Sequence, residues 1–387
     1  MLYARSHLLF ALLASLGCNL VSPHQAWAQD SGPPLSPDLE RRVDAMAAKA
    51  AGWLKTRQEA NGGWSTELSP GITGIVSTGL LKGAKLPATD PMVAKSLIYI
   101  EGLINPESGH IAGKNPRVGL QNYVTCVNLM ALSAAGRDAH KKVIADAASF
   151  LRKLQWDDEE GKNRNDDFFG GAGYDSKSRP DMSNTQYFLD ALKEAGIPPS
   201  DPAYQRAMMF VSRCQNLKSE HNDRPWADKI NDGSFIYSAA AGGSTKSFDS
   251  PQQNGALPGY GSMTYAGVKS LIYCGVKKED PRIQGALKWL RDNYTLDKNP
   301  GMPAGREEWG YFYYLHTASK ALQLLGDDSF TDAKSEKHDW RREIIERLEK
   351  RQSADGSWAN PKDRWMEGNP TLVTGYALMA LANIRSK

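Results

Sequence analysis

Two carboxylates, with a set of hydroxyl, amide and phenol side chains, are this chain's candidates for chemistry. Asp181 opens the stretch Asp181-Met182-Ser183-Asn184-Thr185. Asp175 closes a loop that runs from Asp166-Asp167-Phe168-Phe169 through Gly170-Gly171-Ala172-Gly173 to Tyr174, beside Arg179. A positioned carboxyl can give or take a proton, and acidic groups beside aromatic platforms suit recognition of sugars or other polyols. Each has a plainer reading. Asp181 can cap a helix by accepting from the amides of residues 183 or 184, and Asp175 can be a solvated turn residue. The polar groups that accompany them fall near the starts of predicted helices. Tyr123, Ser183, Asn184, Tyr260, Tyr313 and His316 are the ligand-binding candidates among them. His316 alone does not make a metal site, and no metal or cofactor is expected.

The elements that carry these residues repeat. A phrase of basic residue, small residue, two spacers, aromatic, aliphatic, three spacers and Gln reads Lys49-Ala50, Trp53-Leu54, Gln58 and again Arg206-Ala207, Phe210-Val211, Gln215. Gly62-Gly63-Trp64 follows the first Gln, and Gly356-Ser357-Trp358 follows Gln352 at the same spacing. Repeats of this kind are supersecondary units that bury an apolar face only against their neighbours. Amphipathic helices are predicted from about Leu39 and near 90–103, 139–155, 202–216, 281–294 and 339–352, three of them opening with Asp-Pro at Asp90, Asp201 and Asp280. Between them lie segments without a charged residue, such as 71–81, 120–135 and 370–384. A helix apolar on all sides is buried on all sides, and these are too short and polar to span a membrane. The pattern predicts an all-α body of six hairpins, with six wet outer helices and six buried inner ones. Thr73, Thr185, Thr264 and Thr374 then share one level near the inner-helix starts, and 217–258 is an excursion over one end of the body, a partial lid.

Composition narrows the partners. Lys and Arg number 47 against 44 Asp and Glu, a net +3 too balanced to argue for nucleic acid or an anionic membrane. With 41% hydrophobic residues the chain can build a large core. Arg5, an apolar stretch from Leu8 to Leu16 and Ala26-Trp27-Ala28 read as an export signal over 1–28. A Pro-rich linker follows over 29–38, then one repeat domain over 39–387. The expected location is periplasmic or secreted, with no transmembrane segment in the mature chain. Leu16-Gly17-Cys18 leaves lipidation as an alternative. Cys126, Cys214 and Cys274 are too few for a disulfide framework and read as small buried residues, with one bridge left open.

The repeated phrase resembles the QW motif of squalene-hopene and oxidosqualene cyclases, whose relatives include protein prenyltransferase β subunits and complement-type thioester domains. The resemblance runs from Lys49 to Leu381; it is strongest at Gln58/Trp64 and Gln352/Trp358, fair at Gln155 and Gln215, and eroded where Ile104 and Tyr294 stand for Gln. It implies a closed (α/α)6 toroid whose inner-helix N-termini gather at one mouth. The Gln and Trp residues themselves read as ties between repeats. The family's inherited chemistries have lost their residues. Class II cyclases use Asp-x-Asp-Asp-Thr, and here Ser183 and Asn184 replace the second and third carboxylates. The zinc prenyltransferase Asp-x-Cys has become Tyr260-Gly261-Ser262, and Cys274-Gly275-Val276-Lys277 is no thioester motif. Three readings stay open: a protein that binds a prenyl or polyol-like small molecule in a central cavity, a terpene cyclase-like isomerase with Asp181 or Asp175 as residual acid, or a secreted polysaccharide lyase or hydrolase using Asp166, Asp175 or Glu307 with Arg179.

Overall fold

The computed structural model describes residues 34–114, 120–248 and 254–385. The export segment expected over 1–28, with Cys18, lies outside the described residues, as does about half of the linker. Among the described residues the chain forms twelve α-helices: α1 Pro37–Arg57, α2 Gly71–Thr78 with a π-helical extension Gly79–Gly83, α3 Pro91–Glu101, α4 Gln121–Ala134, α5 Lys141–Lys153, α6 Met182–Glu194, α7 Pro202–Arg213, α8 Gly261–Tyr273, α9 Pro281–Asp292, α10 Tyr311–Leu325, α11 Trp340–Arg351 and α12 Pro370–Arg385. A two-stranded hairpin, β1 Phe330–Thr331 with β2 Lys337–His338, separates α10 from α11 and was not expected from the sequence. None of these helices is long and apolar enough to cross a membrane.

The inner ring is closed. The even-numbered helices pack in order, α2 on α4, α4 on α6, α6 on α8, α8 on α10 and α10 on α12, and α12 returns to pack on α2. This is the (α/α)6 toroid. Every residue of α2 and α8 is buried, which is why these helices could discard a polar face. The ring is not free of charge, however. Lys269 of α8 and Asp190 of α6 are both buried and form an ion pair at 2.5 Å. Each offsets a desolvation penalty that neither could bear alone.

The expected helix starts have a physical basis in their caps. Asp90, Asp201 and Asp280 accept from the backbone N–H of Met92, Ala203 and Arg282, each at 2.9 Å, ahead of a proline in the first turn.

The recurring Gln joins one hairpin to the next. Gln58 Nε2 donates to the carbonyls of Gly62 and Met92 (2.9 and 2.8 Å), Gln155 to Gly170 and Ala203 (2.8 and 3.0 Å), and Gln215 to Gly233 and Arg282 (3.0 and 2.8 Å). Gln352 repeats the contact across the seam, donating to Gly356 and to Met46 of α1 (2.9 Å each). Where Tyr294 stands for Gln, its hydroxyl donates instead to Glu343 of α11 at 3.2 Å. The Trp64 and Trp358 indoles donate to the carbonyls of Leu54 and Leu348. At Gly356 the φ of +96° and a carbonyl of Lys49 only 2.4 Å from where a Cβ would stand leave room for no other residue.

The inner threonines share a level and a bond. Thr73, Thr125, Thr185, Thr264 and Thr374 accept through Oγ1 from the N–H of Trp64, Ile111, Ala172, Phe235 and Trp358, at 3.0–3.2 Å. Each incoming loop is thereby anchored one turn inside its inner helix. Cys126, Cys214 and Cys274 are buried and free of disulfides.

Candidate functional site

Because inner helices alternate with outer ones, all six run the same way, and their N-termini surround one mouth. There a cavity of about 220 Å3 opens, lined by seven tyrosines: Tyr123, Tyr174, Tyr187, Tyr237, Tyr260, Tyr313 and Tyr376. The rings lean on one another. Tyr123 meets Tyr187 edge-on at 5.1 Å between centroids, and Tyr313 meets Tyr376 at 6.0 Å. The hydroxyls of Tyr123 and Tyr376 are 3.3 Å apart, and that of Tyr313 donates to Ser183 Oγ at 3.0 Å and contacts the Gln186 amide. Burial pushes the Tyr123 phenol up to about 12, with the Tyr376 hydroxyl pulling the other way. The wall is therefore neutral phenol, a surface of π-faces and edges.

The rim is unusually apolar. Leu68, Tyr174, Trp365 and Met366 are four of the six large hydrophobic side chains exposed among the described residues, and all four line this cavity. Trp365 and Met366 adopt φ of +56° and +66° in succession. Left-handed backbone at two adjacent non-glycine residues costs of order 1–3 kcal/mol each and persists where the surroundings enforce it. Here the bend lays both side chains at the mouth and turns Glu367 inward.

Glu367 is the functional candidate that sequence reasoning missed. Its side chain is 1% exposed and lines the cavity. One carboxylate oxygen accepts from the N–H of Tyr313 in the first turn of α10 (2.7 Å), the other from the Asn360 amide (2.7 Å). Burial pushes its pKa up to about 7, although the Asn360 amide and the α10 backbone amides favour the charged form. No motif announces this residue. Its role follows from the left-handed backbone before it, which the letters Trp-Met-Glu-Gly do not spell out.

Asp181 is buried at the N-terminus of α6. It accepts from the Asn184 N–H at 2.9 Å and from the Asn184 side chain at 2.8 Å. Burial raises its pKa, while the two Asn184 donors and the Tyr237 hydroxyl pull it back. It caps the helix, one layer behind the cavity wall formed by Tyr174 and Tyr237. Asn184 is thus its partner and not part of the cavity lining.

Of the other expected residues, Tyr123, Ser183, Tyr260 and Tyr313 line the cavity. His316 lies deeper along α10, stacked on the far side of Tyr376 at 6.0 Å. Burial lowers its pKa to about 3, so it is neutral, and its Nδ1 has no hydrogen-bond partner. Asp175 is half-buried in a turn, where its Oδ1 accepts from the N–H groups of Lys177 (2.9 Å) and Ser178 (2.7 Å). Burial alone would raise its pKa, but these bonds outweigh it and hold the carboxyl below its usual range. Asp166 pairs with Lys162 at 3.1 Å. Asp166, Asp175 and Glu307 do not line the cavity.

The excursion expected to cover one end does reach the mouth. Tyr237 supplies part of the cavity wall, its carbonyl accepts from Met182 N–H at 2.8 Å, and the Ser238 hydroxyl donates to Pro180 at 2.6 Å. Lys246, from the same excursion, stands 4.4 Å above the Tyr237 ring. Elsewhere, on the hairpin after α10, Asp332, Glu336 and His338 bring potential ligand atoms within 4.8 Å of one another, a grouping not foreseen from the sequence.

The ring and its mouth define an α/α toroid with a central cavity, and solved structures share that fold. No family model and no curated protein sequence matches the chain. A variant of the type II terpene cyclase MstE from Scytonema, in complex with the substrate geranylgeranyl dihydroxybenzoate, superposes with a TM-score of 0.54 at 14% identity, covering 91% of this chain and 99% of that one. A polysaccharide lyase (TM-score 0.52, 10% identity, 89% and 97% covered) and a glycosidase variant (0.51, 12%, 90% and 98%) are similar to the same extent. At these identities the likeness is one of fold.

Proposed function

We propose that this chain is an exported ligand-binding toroid of the QW-repeat group, whose cavity takes the apolar body of a prenyl-type or polycyclic small molecule. The observation that carries the reading is the concentration of exposed apolar side chains at the rim of a tyrosine-walled cavity. Monomeric surfaces rarely expose contiguous apolar patches without a partner, and concave apolar sites with a few convergent polar groups are typical small-molecule pockets. Polyol recognition would call for paired carboxylates facing a groove. The acidic residues that could have served, Asp166 and Asp175, are instead bound to Lys162 and to turn amides.

The site also supports proton transfer. A buried carboxyl poised near neutral pH is suited to general acid–base work on a heteroatom, and Glu367 has both the placement and the pKa. Protonating an isolated carbon double bond needs a far stronger acid. Neither Glu367 nor Asp181, whose neighbouring carboxylates are replaced by Ser183 and Asn184, supplies one. Cyclisation started on an unactivated alkene is therefore not part of this proposal.

Native mass spectrometry of the protein isolated from its host tests the reading. A co-purified prenyl or polycyclic compound, lost on Tyr313→Ala together with Tyr376→Ala, is the expected result. Recovery of an oligosaccharide instead would sink it.

A further inference from the structure

Three cations stand at the mouth without a counter-ion. Arg179 comes from the loop before α6, Lys246 from the excursion, and Arg364 from the loop before α12. Other guanidinium groups of the chain have carboxylate partners: Arg206 with Asp157 at 3.1 Å, Arg351 with Glu308 at 3.0 Å. Arg179, Lys246 and Arg364 have no carboxylate within ion-pair distance among the described residues. Lys246 and Arg364 are held on aromatic faces instead. The ammonium of Lys246 lies 4.4 Å over Tyr237, and the guanidinium of Arg364 lies 5.3 Å from the Trp309 ring centroid and 5.5 Å from that of Trp365. Tyr237 and Trp365 both line the cavity, so these two charges are fixed around its entrance, and Arg179 lies near enough to Lys246 to act on it.

Their mutual repulsion is felt. Burial, then Arg179, and more weakly Arg364, lower the pKa of Lys246, against the pull of Asp181. Asp181 attracts Lys246 from behind the wall but forms no ion pair with it, and its two oxygens bond Asn184. The nearby Asp363 and Asp175 are turned to backbone amides, of Gly368 and of Lys177 and Ser178. Gathering like charges costs free energy that an anion at their centre would recover. Guanidinium forks are suited to carboxylate and phosphate oxygens.

We propose that Arg179, Lys246 and Arg364 bind the anionic head group, carboxylate or phosphate, of an amphiphilic ligand whose apolar body fills the tyrosine cavity. This rests on the cavity reading above, and it sets the ligand's polarity and orientation: charged end at the rim, hydrocarbon inward.

Farnesol, farnesoic acid and farnesyl phosphate share one apolar body and differ in the head, so their affinities separate the two ideas. Titrated calorimetrically into the full chain at low salt, one or both acids should bind at least tenfold tighter than the alcohol, and whichever gains more identifies the head group. The gap should shrink several-fold in 0.5 M NaCl, a readout that needs no variant. It should vanish in Arg179→Gln/Lys246→Gln/Arg364→Gln, with farnesol affinity unchanged. If farnesol binds and neither acid gains over it, or if the triple variant keeps the gap, the rim assignment falls and the cavity reading stands. If none of the three binds, both fall.

Discussion

At Glu367 burial opposes the donated hydrogen bonds and wins, bringing the carboxyl from an ordinary 4.5 to about 7. An acid whose pKa is higher folded than unfolded holds its proton more tightly in the native state. Its stabilising contribution is complete below the unfolded value and is lost as pH rises through the folded one. Glu367 should therefore cost the fold on the order of 3 kcal/mol between about pH 4.5 and 7, and nothing further above that. Glu367→Gln keeps the side chain's volume and an acceptor for the Tyr313 N–H. Urea denaturation across this range should show the variant flatter than the parent; identical slopes would mean that Glu367 is already ionised in the native state. Asp181 shows the opposite side of legibility. Its capping bond to Asn184 could be read from residue type and spacing, because a cap is local. The environment of Glu367 is assembled from Asn360, the start of α10 and a left-handed bend, so no short window of sequence contains it.

Among the elements, the same glutamine plays one part in two settings. Gln215 is 1% exposed, and its amide serves two carbonyls that have little access to water. Gln352 makes the equivalent pair of bonds from a half-buried position. Removing a buried donor strands its acceptors at about 1–3 kcal/mol each, whereas water can replace a donor near the surface. Gln215→Ala should lower stability by about 2–4 kcal/mol and Gln352→Ala by about 1 kcal/mol, as read from denaturation midpoints. Equal losses would show that these amides do not act through their desolvated carbonyls. The hairpins, their Asp-Pro starts and the shared threonine level were legible because they recur. The β1–β2 hairpin occurs once and was missed. The Lys269–Asp190 pair joins residues 79 apart, and it makes sense only when α6 and α8 are known to be neighbours.

For the whole molecule, closure is what the repeats alone left undecided, since an open solenoid would use the same hairpins. The packing of α12 on both α10 and α2 decides it. An open stack frays from its ends, whereas a ring gives its last inner helix two neighbours, as it gives every other. Amides in α12 should then exchange with deuterium about as slowly as those in α6, with both limited by global unfolding. Exchange in α12 that runs orders of magnitude faster would indicate a seam that opens on its own. The ring by itself does not select a chemistry, because a terpene cyclase, a lyase and a glycosidase are similar to it to the same degree.

The seam has a practical side. Arg385, at the foot of α12, reaches Glu40 (2.9 Å) and Asp44 (2.6 Å) in the opening turns of α1, on the flank away from the tyrosines. Head and tail of the folded body therefore meet at the bottom of the bowl. A reporter fused, or a chip surface coupled, at either of these ends would leave the opening unobstructed, and a short linker joining them could move the chain's break to another outer loop.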